Sequence, residues 1–231
     1  MTQIYAHRGA SKIFLENTLE AFEHAETLGA GWIELDVWLS KDGLLTVHHD
    51  QKLETGELIT ENDYSGFPDN IPTLSDVLNS TKQIGINVEV KTQDNHALDS
   101  QTRRLIDELS RLLQKEGSSR DFLVSSFNFK CLSYFREKSP DTPVGLLIWE
   151  LRDDWDSLLA EVIKSDFQYI HPANSLVTKN FIAACKQKEI HINVWTVNDE
   201  DRMEELIDLG VDGIVTDVPD IALEVVTGRD G

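Results

Sequence analysis

His7 is followed by Arg8, Glu34 and Asp36 stand two residues apart, as do Glu89 and Lys91, and His48 and His49 adjoin each other ahead of Asp50. In an extended chain, residues two apart point to the same side, so Glu34 with Asp36 and Glu89 with Lys91 form two same-face pairs. Carboxylates side by side in a protein interior are costly unless positive charge lies between them. A divalent cation meets that need, and an all-oxygen donor set suits Mg²⁺ or Ca²⁺. Zinc fits less well, because neither cysteine lies near these residues and the carboxylates outnumber the histidines as ligands. Ion pairs of Glu34 and Asp36 with Arg8 and Lys91 would meet the same need without a metal. Histidines that titrate near neutral pH can share acid and base work in phosphoryl transfer. Asp50 is placed to hold a histidine tautomer, but spacing leaves open whether His48 or His49 faces the site.

The elements that must position these residues show in the hydrophobic pattern. Short apolar runs rich in β-branched residues at 3–6, 32–37, 86–90, 122–125, 144–148, 167–170, 192–196 and 213–215 alternate with amphipathic segments at 18–28, 74–79, 98–113, 129–138, 155–164, 179–188, 200–209 and 221–226. That alternation predicts βαβ units on a parallel sheet, and eight such strands fit one (β/α)₈ barrel, a single α/β domain over residues 1–231. Catalytic groups of such barrels come from the C-terminal ends of the strands. His7 and Arg8 follow the first strand, Glu34 and Asp36 end the second, and Glu89 and Lys91 straddle the end of the third. Thr73 and Asn198 are expected as helix N-caps, and Gly29, Gly117 and Gly210 as helix stops. Residues 40–72 lack a helical pattern and form a short insertion after the second strand, with a turn at Lys41-Asp42-Gly43. His171 follows the predicted sixth strand and either joins the site or begins a loop before Pro172, the loop start being the expectation. Glu150 and Asp217 also lie past strand ends, and spacing assigns neither a role.

Composition narrows the partners. The chain has 231 residues, 40% of them hydrophobic, enough for one sizeable core, and 21 Lys and Arg against 41 Asp and Glu give a net charge of −20. Such a field repels nucleic-acid backbones and anionic lipid surfaces, so neither is an expected partner. A phosphate-ester substrate would then need local cations. Cys131 and Cys185 lie in separate helical patterns and give no disulfide framework. The N-terminal stretch has neither the basic nor the apolar region of a secretory signal, and no apolar run reaches membrane-spanning length. A cytoplasmic location is the expectation.

Ordered motifs then connect these residues to a family. His7-Arg8-Gly9, Glu16-Asn17-Thr18, Glu34-Leu35-Asp36-Val37, Asp42-Gly43, His49-Asp50, Ile71-Pro72-Thr73-Leu74, Val88-Glu89-Val90-Lys91, Ser125-Ser126-Phe127, Val194-Trp195-Thr196-Val197-Asn198 and the run from Asp212 to Pro219 together resemble the glycerophosphodiester phosphodiesterase family, in its cytoplasmic bacterial form. The resemblance spans essentially the whole chain. It implies a (β/α)₈ barrel that hydrolyses glycerophosphodiesters, such as glycerophosphocholine and glycerophosphoethanolamine, to sn-glycerol 3-phosphate and an alcohol with one divalent cation, Mg²⁺ or Ca²⁺. By position it implies Glu34, Asp36 and Glu89 as metal ligands, and His7 and His49, rather than His48, as the acid/base pair. Arg8 and Lys91 match phosphate contacts, and Phe127 and Trp195 apolar walls for the substrate's carbon skeleton. Leu15 replaces a frequent proline, and Glu54-Thr55 replaces a usual Arg-Thr, which removes a cation beside the insertion. A lysophospholipase D or sphingomyelinase D-like activity would use the same metal and histidines but needs an apolar groove or membrane-facing surface. A barrel that binds phosphate ligands without turnover would not need both histidines and all three acids.

Overall fold

Side-chain direction along buried strands sets the architecture. In the segment Trp32–Leu39, Ile33, Leu35, Val37 and Leu39 are fully buried beneath the surrounding helices, so Glu34 and Asp36 between them face the opposite side. The computed structural model describes residues 1–150 and 154–228; the last residues of the expected 1–231 unit lie outside that range. The described residues form nine strands: β1 (Gln3–His7), β2 (Trp32–Leu39), β3 (Leu45–Val47), β4 (Gly85–Val90), β5 (Phe122–Ser126), β6 (Val144–Ile148), β7 (Tyr169–Pro172), β8 (His191–Val194) and β9 (Gly213–Thr216). Eight α-helices lie among them: α1 (Leu19–Leu28), α2 (Leu74–Ser80), α3 (Ser100–Glu116), α4 (Phe129–Lys138), α5 (Trp155–Lys164), α6 (Lys179–Gln187), α7 (Glu200–Leu209) and α8 (Pro219–Thr227).

All strands but β3 run parallel in one sheet, and β1 pairs with both β2 and β9, which closes the eight-stranded barrel. The main core lies between this barrel and its ring of helices. Inside the barrel, Tyr5, Leu123 and Val215 pack with Trp32, Tyr169 and Trp195, and Tyr5 stacks on Trp32 at 5.2 Å. No helix among the described residues is long and apolar enough to cross a membrane.

The insertion after β2 has its own small core. β3 folds back antiparallel on β2, with Val37 opposite Val47 and Leu39 opposite Leu45. Leu53, Ile59 and Ile71 then close over Trp38, with Phe67 packed beside them. This cluster explains how a stretch without long helices is ordered: it caps the outer end of β2 with apolar surface. It also fixes the segment carrying His49, because Trp38 Nε1 donates to the His49 carbonyl at 3.0 Å.

Local signals set most boundaries. Thr73 caps α2 through a reciprocal capping box with Asp76, and Gly29 and Gly210 end α1 and α7 in the left-handed region. Two expectations are corrected. The N-cap of α7 is Asp199, which accepts from the Arg202 N–H; Asn198 is drawn away to the residues that follow β9. The sixth barrel strand is Tyr169–Pro172 rather than 167–170, so His171 lies in the strand and is buried, not at a loop start. Phe167 packs on Phe129 at 4.8 Å and belongs to the outer core, which accounts for its apolar appearance ahead of the strand.

Candidate active site at the barrel mouth

The end of β1 turns sharply to place two site residues. Gly9 adopts φ +85, and a Cβ there would come 2.7 Å from the Ala21 backbone, so glycine lets the turn lie directly against α1. Arg8 itself is left-handed, at φ 56, and its backbone N–H donates to Glu34 Oε2 at 3.1 Å. Asn17, of a type that tolerates the left-handed region, has φ 57. Its Nδ2 donates to Asp36 Oδ2 at 2.9 Å, and its N–H donates to the Arg8 carbonyl at 3.0 Å. The Glu-Asn-Thr motif thus orients an acid on the neighbouring strand, a role that spacing did not disclose.

Glu34, Asp36 and Glu89 converge as their strand positions predict. One oxygen from each lies within 4.8 Å of the other two, and all three residues are buried. Lys91 Nζ is 2.8 Å from Glu89 and 3.3 Å from Asp36, and Arg8 Nε is 3.3 Å from Asp36. Of the ion pairs expected for Glu34 and Asp36, those of Asp36 exist with both cations, and Lys91 pairs in addition with Glu89. They do not reach Glu34, whose ion-pair contact among the described residues is His7 Nε2 at 4.0 Å. Burial and the neighbouring Asp36 carboxylate push the Glu34 carboxyl up to about 8. Burial likewise raises Glu89 despite Lys91; at Asp36, burial is outweighed by Lys91, Arg8 and Asn17, which hold its carboxyl low. Lys91 and Arg8 thus offset Asp36 and Glu89, with Arg8 also paired to Glu16 at 2.8 Å, and Glu34 is left without a permanent cation. A divalent cation held there would favour the ionised form of all three acids, and the all-oxygen donor set fits Mg²⁺ or Ca²⁺.

Each of the two histidines is held through Nδ1 by a carboxylate. His7 Nδ1 lies 2.6 Å from Asp217 Oδ1, and His49 Nδ1 lies 2.7 Å from Asp50 Oδ1. The carboxylate acceptor puts the ring proton on Nδ1 of a neutral histidine and leaves Nε2 for proton transfer. Asp217 is in turn fixed: Asn198 Nδ2 donates to its Oδ2 at 2.6 Å, and Ser11 Oγ to its Oδ1 at 3.2 Å. Partial burial opposes ionisation of Asp217, but His7, Asn198 and Ser11 outweigh it and hold its carboxyl at about 2. For His7, burial disfavours the charged ring, yet Asp217 and Glu34 raise it above the ordinary histidine value. His49 is lowered, by burial and by Lys91. His48 points elsewhere, with Nδ1 at 2.7 Å from the Asp50 carbonyl.

Asp217 and Asn198 are the members that sequence spacing missed. Their signal lay in the motifs after β8 and β9, whose polar residues carry no periodic reason to be there. Phe127 and Trp195 meet edge to face at 5.5 Å, and Trp149 joins Phe127 at 5.5 Å, giving the mouth an aromatic wall. Trp195 lies just past the end of β8 rather than within it, anchored by Nε1 donating to the His171 carbonyl at 2.7 Å.

Comparison with known proteins is consistent across sequence and fold. The model of the "Glycerophosphoryl diester phosphodiesterase family" matches residues 7–58 and 55–221. A glycerophosphodiester phosphodiesterase of Bacillus altitudinis is 33% identical over 97% of this chain and 98% of its own. One from Caldanaerobacter subterraneus subsp. tengcongensis is 31% identical, again over 97% and 98%. Among solved structures, an Oleispira antarctica phosphodiesterase in complex with the product sn-glycerol 3-phosphate superposes with a TM-score of 0.89 at 23% identity, over 98% of this chain and 97% of that one; at that identity the likeness is one of fold.

Proposed function

From the premise that the chain belongs to the glycerophosphoryl diester phosphodiesterase family, and so is a phosphoric diester hydrolase, we propose that it cleaves small glycerophosphodiesters, glycerophosphocholine and glycerophosphoethanolamine among them, to sn-glycerol 3-phosphate and the free alcohol. The observation that carries this reading is the convergence, at one barrel mouth, of three buried carboxylates and two histidines each held by a carboxylate. Glu34, Asp36 and Glu89 would hold one divalent cation, Mg²⁺ or Ca²⁺. When bound, that ion neutralises phosphate oxygens as charge develops on them.

The remaining work falls to side chains of this chain. An ammonium has three N–H donors; Lys91 donates one to Glu89 and lies 3.3 Å from Asp36, which leaves a donor for a phosphate oxygen. Arg8 adds its guanidinium on the same side. One histidine removes the proton from the attacking oxygen through Nε2, and the other delivers a proton through Nε2 to the departing alkoxide oxygen. Phe127 and Trp195 pack against the carbon skeleton and keep water from that side. A reducing, cytoplasmic setting suits Cys131 and Cys185, both free and buried, and residues 1–231 act as one catalytic unit.

The test is release of sn-glycerol 3-phosphate from both diesters with Mg²⁺, with Ca²⁺ and with chelator. Release should require the cation, and His49→Ala should lower kcat by about 10²–10⁴-fold with cation affinity retained. No release from either diester by cation-loaded protein would defeat this assignment. A second reading, lysophospholipase D-like cleavage, has one observation of its own. Ile13 and Leu15, on the loop leaving β1, and Trp149, at the end of β6, are exposed apolar residues at the same rim, where an acyl chain could lie. A lysophospholipid run in the same assay separates the two.

A further inference from the structure

Beside the carboxylates the barrel interior carries uncharged polar side chains as well as its apolar cluster. Asn87, Ser125, His171 and Asn193 come from β4, β5, β7 and β8, and none exceeds 1% exposure. Their presence is accommodated by glycines on adjacent strands: a Cβ at Gly145 would sit 2.4 Å from His171 Nε2, and one at Gly213 would sit 2.3 Å from Asn193 Oδ1. Asn193 Nδ2 lies 3.2 Å from His171 Nε2. An amide donor there makes Nε2 the acceptor and puts the ring proton on Nδ1. Besides Asn193 Oδ1, three of these side chains, through His171 Nδ1, Ser125 Oγ and Asn87 Oδ1, have an atom with no hydrogen-bond partner among the described residues. Buried polar atoms are almost always paired, to protein or to ordered water.

These three side chains line one small cavity of about 20 Å³, together with Glu34, Glu89, His7 and Trp195. Strand register places Asn87 beside Glu34 and Ser125 beside Glu89, so the cavity adjoins the acidic cluster. A space of roughly 10–15 Å³ with two to four polar partners is enough for one water. The bonding complement is balanced: the Ser125 hydroxyl and His171 Nδ1–H can donate, while Asn87 Oδ1 and a carboxylate oxygen of Glu89 can accept.

We infer that this cavity is an internal water site, whose single ordered water, held by Ser125, His171 and Asn87, hydrogen-bonds the Glu89 carboxylate and orients it as a cation ligand. Ser125 and Asn87 are thereby positioning residues. Groups that orient a metal ligand typically change metal affinity by about 10–100-fold when removed. The inference rests on the reading of Glu34, Asp36 and Glu89 as the cation site.

The experiment pairs calorimetric titration of metal-free protein with Mg²⁺ and Ca²⁺ with a high-resolution crystal structure of the wild type. One water should appear in contact with Ser125 Oγ, His171 Nδ1 and Asn87 Oδ1. Ser125→Ala should weaken cation affinity by about 10–100-fold. Ser110→Ala, which removes another buried hydroxyl without a partner but on α3, should leave it unchanged. Asn87→Ala carries the same expectation as Ser125→Ala if the latter does not fold. A dry cavity, or a Ser125→Ala protein that binds cation as the wild type does, overturns the inference and leaves the cation site standing. A wild type that binds neither cation overturns the reading of the acids, and this inference with it.

Discussion

The two histidines differ in what holds them. His49 leans on Asp50, which is exposed, whereas the carboxylate behind His7 is itself bonded by Asn198 and Ser11. Exposed pairs contribute little, and fixed ones can set a tautomer. Asp217→Asn should therefore lower kcat by about 10²-fold or more while KM stays nearly constant, and Asp50→Asn should lower it by less than about tenfold. Steady-state rates of sn-glycerol 3-phosphate release decide this, and equal losses in the two variants would refute the distinction. His171 gives a second prediction. Burial without a charged partner pushes its ring down to about 3. Above the ordinary histidine value both folded and unfolded chains keep it neutral. As pH falls from about 6.5 toward 3, the unfolded chain takes up a proton that the folded one refuses. Stability is lost through that window, at up to about 1.4 kcal/mol per pH unit. Urea unfolding at several pH values should show a shallower decline for His171→Asn than for wild type, and parallel curves would contradict the buried neutral ring. The polar side chains of β2 and β4 were legible because each has a same-face neighbour near a strand end, and His7 because it closes a strand. Asp217 was not, because its partner His7 lies 210 positions away and only closure of the barrel brings them together.

At the scale of elements, the strands could be read because those buried on both faces show as apolar runs, and helix ends because caps have a local chemistry. What could not be read is where two local signals compete. Asn198 and Asp199 are both competent N-caps, and the choice is made by Thr216 Oγ1 and the Asp217 N–H, which donate to Asn198 Oδ1 at 3.0 and 2.9 Å. The insertion core over Trp38 was equally hidden, since its members are scattered singly between turns. One joint is held by a charge rather than by apolar packing. The Glu26 carboxylate, on α1, accepts from the N–H groups of Lys82, Gln83 and Ile84 on the approach to β4. Glu26→Ala should cost about 2 kcal/mol of stability, a lower midpoint in thermal unfolding. Because this joint lies at the end of the barrel opposite the mouth, kcat should be unchanged. A fall in kcat with no shift in midpoint would mean that α1 transmits to the site in a way the packing does not show.

The molecule as a whole carries −20, while its mouth gathers Arg8 and Lys91 beside the buried carboxylates. These act over different distances. The two cations act at contact range, where bulk salt screens little, and the net field acts over tens of ångströms, where salt screens strongly. An anionic diester such as glycerophosphoglycerol must cross the repulsive field before it meets the cations; zwitterionic glycerophosphocholine feels no net force. Raising ionic strength from about 0.01 M to 0.15 M shortens the screening length from about 30 Å to 8 Å. With the divalent cation kept saturating, kcat/KM for the anionic diester should then rise by about two- to tenfold, and that for glycerophosphocholine should stay within about twofold. The gain should appear in KM, because the chemistry at the mouth is unchanged. If both substrates respond alike, the acidic surface does not govern approach, and discrimination between alcohols must arise within contact of Phe127, Trp149 and Trp195.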